Sequence, residues 1–172
     1  MVSTVHFGLR SLFVLLLCLW LGAMLFFGLV VAPSAFAALP TRQLAGDVVT
    51  AALTRLNYIG YYLGPFLMVL AVFSARQRRL SNISLLVSLL LLFLMTTSAI
   101  VSNEYITPQM LLLRSQMGDI IDKVPQDNPL RIRFNVLHNY SVRLMAFNLI
   151  AGLLVFLLLL RDWKKDSRYR YP

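Results

Sequence analysis

His138 begins a line of side chains that share one helix face. At 100° per residue from His138, Phe134 falls at about −40°, Ser141 at about −60°, Met145 at about −20°, Asn148 at about −80° and Gly152 at about −40°. An imidazole, a hydroxyl and a carboxamide at this spacing offer donors and acceptors over about 15 Å of helix rise from His138 to Asn148. Such groups are unfavourable against hydrocarbon, so the stripe is expected to face other helices. Two uses fit it: hydrogen bonds between helices, or the wall of a small cavity or cofactor slot. A second polar set consists of Arg55, Asn57, Asn103, Glu104 and Arg143, which with His138 could form a mouth where three helices end on one side. Arg143 projects at about +140°, off the stripe, and either snorkels to the headgroups or pairs with Glu104.

Other chemistry finds little support. Haem held by two histidines would need His6 and His138 together, yet they flank the first and fourth apolar runs at opposite membrane faces, about 30 Å apart. Copper held by the mid-span methionines Met24, Met68, Met95 and Met145 is an alternative to their use as packing side chains. Cys18 is the sole cysteine, which excludes an internal disulfide and a thiolate cluster, and it reads as a small packing residue. No phosphate-binding loop, Ser–His–Asp set or paired carboxylates occur at mid-membrane depth, so no catalytic residue is assigned. No cofactor is assigned either, with haem or copper kept as the alternative.

The elements that must position these residues follow from composition. The chain has 172 residues, 59% hydrophobic and 13% charged, with a mean hydropathy of +0.74. Four runs with almost no charge, 11–32, 56–75, 83–102 and 141–160, are each long enough to cross a hydrocarbon core of about 30 Å. The fold class is therefore an all-α membrane protein, a four-helix bundle forming one integral membrane domain over 1–172, with the lipid bilayer as its main partner. The 22-residue length of the first run and Trp20 at its centre argue for a retained span over a cleaved signal peptide. That span is expected to leave the membrane at Pro33. An Ala-rich helical lead then precedes the second span, which carries Pro65 as a kink site.

Gly60 and Gly64 put two residues without side chains on one face of the second span; Gly22, Gly28 and Gly152 are also expected at helix contacts. Ser81, Ser84 and Ser88 predict a hydroxyl seam on the third span. Between spans three and four, residues 107–124 predict a separate amphipathic interfacial helix. Thr107 would be its cap and Pro108 its first turn; Leu113, Met110, Met117, Ile120, Ile121 and Val124 would form its apolar face, with Arg114 off that face. Asn128 and Pro129 predict the start of a long helix running through Leu160, about 48 Å.

The net charge of +9 sits mostly at span ends, where it meets phospholipid headgroups, so nucleic acid is not an expected partner. With four spans, the termini and the second connection share a side. That side holds Arg10, Arg76, Arg78, Arg79, Arg161, Lys164, Lys165, Arg168 and Arg170 against Asp162 and Asp166; the other side has seven basic and five acidic residues. The positive-inside rule then puts both termini in the cytoplasm, in a bacterial inner membrane or a plasma membrane. The stripe and mouth thus suit a protein that binds or transports a small ligand or ion within the bundle. The glycine and serine faces suit a second reading, a non-catalytic structural or assembly subunit that meets a second copy or a membrane-complex partner, and a haem- or porphyrin-linked redox protein is the third.

Trp20, Gly22, Phe27, Val31, Leu39, Pro40 and Gly46, followed by Asn103, Pro108, Phe134, His138 and Ser141, resemble in order and spacing the transmembrane protein 205-like family, also called domain of unknown function 4149. The likeness runs from about Leu12 to Leu160, although the family's asparagine stands nearer its histidine than Asn148 does. It implies a four-helix integral membrane protein without an assigned reaction. The first span also resembles, more distantly, the CopD-like group, which includes copper-transport-related and haem-binding proteins; span one here has no histidine.

Overall fold

A computed structural model describes residues 2–76, 82–118 and 124–170, with side chains over 8–75, 83–118 and 124–162. Hydrocarbon offers backbone amides no partner, so a spanning chain must satisfy them internally. Among the described residues every regular element is helical. Helix α1 (Val2–Phe26) passes through a π turn (Phe27–Val31) into α2 (Ala32–Ala38), and α3 covers Arg42–Arg76. Helix α4 (Asn82–Val101) passes through a second π turn (Ser102–Ile106) into α5 (Thr107–Met117), and α6 covers Pro129–Arg170.

Four stretches are long and apolar enough to cross a membrane: Gly8–Ala38, Arg42–Ala75, Ile83–Met117 and Pro129–Asp162, of 31, 34, 35 and 34 residues. At about 1.5 Å per residue each exceeds a hydrocarbon core of about 30 Å, so each rod extends past it. The molecule is a four-helix membrane bundle, as the apolar runs predict. Helix α1 packs on α3 and α6, and α4 packs on the same two, which sets α1 and α4 across a diagonal. The core threads between them through Phe13, Leu17, Trp20, Leu67, Leu92, Met95 and Val155.

Two expectations fail for one reason. The first rod does not stop at Pro33, and Thr107 does not begin a separate helix; both rods continue through a π turn that lies just before a proline. Proline lacks an N–H and its ring crowds the carbonyl four residues back, which a wider turn relieves. The Ala32 N–H bonds the Phe27 carbonyl, and the Thr107 N–H bonds the Ser102 carbonyl. The Thr107 hydroxyl donates to the same Ser102 carbonyl at 2.9 Å. The amphipathic segment is thus a continuation of the third rod, ending at Met117 before Gly118, whose φ of 80° suits glycine. Its last expected turn, 119–123, lies outside the described residues.

The connection between the first two rods shrinks to residues 39–41, because the Ala-rich lead joins α3 without a break. Thr41 caps α3, its Oγ1 accepting the Leu44 N–H at 3.2 Å. Asn128 caps α6 as its sequence predicts, Oδ1 accepting the Leu130 N–H at 2.9 Å. Helix α6 continues past Leu160 to Arg170. On the serine seam, Ser84 and Ser88 are buried, and the Ser84 hydroxyl donates to Asp162 at 3.3 Å. Ser81, Arg78 and Arg79, and the side chains of His6, Arg76, Lys164, Lys165, Asp166, Arg168 and Arg170, lie outside the described residues.

Candidate functional site

Polar side chains concentrate at the end of the bundle where α2, α5 and the start of α6 lie. From α3, Asn57 is buried and its Nδ2 donates to Ser102 Oγ at 3.4 Å. One turn deeper, Ser98 donates to Asn148 Oδ1 at 2.5 Å, both residues being buried. Ser98 also reaches the Met95 carbonyl at 2.9 Å. Ser141 is buried between these levels. A water-sized void of about 10 Å³ touches Asn57, Ser98, Ser102, Ser141 and Asn148. The stripe on α6 therefore faces inward from Ser141 to Gly152, where Asn148 bonds between helices, whereas His138 at its outer end is exposed.

Glu104 is exposed and gathers a separate group: Tyr61 donates its hydroxyl to Oε1 at 2.9 Å and Asn103 donates Nδ2 to the same oxygen at 3.3 Å. Asn103 is buried, and its Oδ1 has no partner. Arg143 is exposed and forms no ion pair with Glu104 among the described residues; Arg55 is exposed as well. The six-residue mouth thus divides: Asn57, Asn103 and Glu104 lie in the bonded region, the two arginines point outward, and His138, also exposed, stands apart beside Phe134. Long cationic side chains near a rod end gain more from water and headgroups than from burial.

The upper half of the stripe borders a larger space. A cleft of about 360 Å³ is lined from all four rods, by Phe27, Phe36, Val49, Leu53, Met110 and Met145 among the apolar side chains. Its polar lining is Thr50, Thr107, Arg114, His138 and Ser141. His138 stacks on Phe134 with centroids 6.4 Å apart and planes 6° apart. Arg114 is the residue that sequence projection misplaced. It is 8% exposed, and its Nη1 donates to Asp47 Oδ1 at 2.5 Å. Its guanidinium carbon lies 5.8 Å from the Phe134 ring centroid, within cation–π range. Its Nε has no partner.

Gly46 makes room for the guanidinium, which occupies the space a side chain there would need. Asp47 on the next position of α3 had no assigned role in the sequence. The one available signal was a single charge inside the run Leu111, Leu112, Leu113, Arg114, opposite a lone acid in an Ala-rich helix start.

The glycines differ among themselves. A methyl at Gly60 would press on the Trp20 indole, one at Gly64 on the Thr96 side chain, one at Gly28 on Met145, and one at Gly152 on Leu21 and Met95. Gly22 departs from expectation, since nothing lies within 4 Å of a methyl placed there. Cys18 is exposed on the outer face of α1, where a packing role was expected. Among the described residues no three His, Cys, Asp or Glu side chains cluster as a metal site.

No curated protein and no solved structure matches the chain. The family profile described as domain of unknown function (DUF4149) matches residues 15–119. That stretch takes in both π turns and their prolines, the Asp47–Arg114 pair and three of the four rods, and the chain belongs to this family of domain of unknown function proteins.

Proposed function

We propose that the protein binds a small amphipathic molecule inside its membrane bundle, in the cleft bordered by Arg114 and His138. The observation that carries this reading is the cleft itself. At about 360 Å³ it falls in the range of about 300–1,000 Å³ usual for small-molecule sites, and its lining is mostly apolar with few polar groups. A purely structural bundle gains nothing from leaving such a space beside a buried guanidinium, since unfilled volume costs packing energy. Binding is the core of the proposal, and passage of the molecule across the membrane would be an extension of it.

An uncharged alkyl diazirine in membranes holding the full chain tests this. It is expected to label Met110, Met145 and Phe36 above the lipid-facing Leu29 and Ile150, and Thr50→Trp, which fills the cleft, is expected to remove that excess. Equal labelling of both sets in the unaltered chain would overturn the reading.

We also propose that both termini are cytoplasmic, which puts the cleft at the opposite membrane face; the basic cluster around Arg76, Arg78 and Arg79 supports this. The order of Trp20, Gly22, Phe27 and Val31 supports a finer grouping with transmembrane protein 205-like proteins and, more remotely, with CopD-like ones.

A further inference from the structure

The asymmetry of the Asp47–Arg114 pair identifies the ligand class. The arginine side chain is 10% exposed and the aspartate side chain 51% exposed. A buried cation is costly without a counter-charge, whereas a half-exposed carboxylate can return to water at small cost. We propose that Asp47 occupies Arg114 as an internal stand-in, and that the natural occupant of the cleft is a single-chain amphiphile with one carboxylate, which displaces Asp47 and takes over the guanidinium. This rests on the binding reading above and adds the chemistry of the ligand.

Charge and shape select this class. Arg114 brings one positive charge, and the other polar lining groups are an imidazole and the hydroxyls of Thr50, Thr107 and Ser141. One negative charge balances that site; a phosphate dianion would leave excess charge in a region of low polarity. A planar carboxylate matches the guanidinium fork, of which Asp47 engages Nη1 alone. Phe27, Phe36, Val49, Leu53 and Met145 suit an alkyl chain. The volume lies near the lower end for ligand sites, which favours one chain over the two of a bilayer lipid.

The test uses the full chain in phosphatidylcholine nanodiscs with radiolabelled palmitate, and methyl palmitate as the neutral control at equal mole fraction. Palmitate is expected to bind saturably and at least about tenfold more tightly than its ester. Asp47→Asn removes the competitor, so palmitate is expected to bind about fivefold more tightly or better, with a larger rise in Tm on binding. Arg114→Gln is expected to bind acid and ester alike, and retained ester binding shows that the cleft has formed.

If Asp47→Asn is recovered poorly on its own, restoration by palmitate supports the proposal, and a deficit repaired equally by the ester, or by neither, counts against it. Equal affinity for acid and ester in the unaltered chain, or unchanged or weaker palmitate binding by Asp47→Asn, would overturn it. Diazirine labelling of the cleft combined with no preference for the acid removes this proposal and leaves the binding reading intact. Loss of both removes both.

Discussion

Gly64 and Thr96 provide the sharpest test of how α3 meets α4. A methyl at position 64 would run into Thr96 Oγ1, with Thr96 Cβ at 3.2 Å and Cγ2 at 3.5 Å. Thr96 is buried, and its hydroxyl is already committed to the Leu92 carbonyl at 2.9 Å. Gly64→Ala must therefore turn the threonine off that bond or part the helices. Overpacking of this kind costs about 1–3 kcal/mol, of which up to about 1 kcal/mol is offset by the better helix propensity of alanine. Thr96→Ala alone removes one hydroxyl and one methyl and is expected to cost about 1 kcal/mol.

In the double variant the colliding oxygen is gone, and the nearest remaining atom is the Cβ at 3.2 Å, which a shift of a few tenths of an ångström relieves. The double variant is then expected to be more stable than the sum of the two single effects by about 1–2 kcal/mol. Reversible unfolding in mixed detergent, read by circular dichroism and arranged as a double-mutant cycle, measures this. Additivity within about 0.5 kcal/mol would refute the close approach of these two helices.

Gly22→Ala serves as the opposite case: with nothing near its added methyl, it is expected to stabilise by up to about 1 kcal/mol through helix propensity alone, and a loss of stability would contradict the open space there. Asn148→Ala is expected to cost about 0.6–1.7 kcal/mol in the same assay, because Ser98 retains the Met95 carbonyl as a partner and interhelical bonds in membranes are modest. Cys18 is expected to react with a lipid-soluble maleimide and to resist a membrane-impermeant one; rapid reaction with the impermeant reagent would place α1 outside the hydrocarbon. In a Cys18→Ala background, an impermeant reagent added to intact cells is expected to label Arg55→Cys and to spare Arg161→Cys, and the reverse pattern would invert the proposed orientation.

Charge-free runs of about twenty residues determine the spans because each buried backbone amide needs a partner that hydrocarbon cannot supply. The same physics made the stripe legible from Ser141 inward: Ser141, Asn148 and Gly152 are polar or small residues that gain by leaving lipid, and all three are buried, whereas His138 at the rod's outer end is exposed, against expectation. The polar mouth was only half legible. Proximity at a membrane face does not decide between a partner and water, and Arg55 and Arg143 took water or headgroups. Arg114 was hidden for a different reason: within its own turns it stands off the apolar face, and what brings it round toward the bundle is a change of helical period just before Pro108.

That change of period links the prolines to the cleft. Counted at 100° per residue from the buried Ser102, Arg114 falls about 120° away and would lie on the flank of its rod. The π turn takes up about one extra residue, returning everything beyond it by about 100°, and Arg114 then lies within about 20° of Ser102. The first rod behaves alike. From the buried Phe27, Phe36 moves from about 180°, the far face of its rod, to about 80°, and Ala35, which is buried, from about 80° to about −20°. Both corrections occur at the same end of the bundle and turn α2 and α5 toward the same space. Pro33 and Pro108 thus do more than permit the rods to continue: the widened turns they favour swing Phe36 from the far face of its rod to the flank of the cleft and bring Arg114 into it, giving the cleft an apolar wall and a buried cation at once.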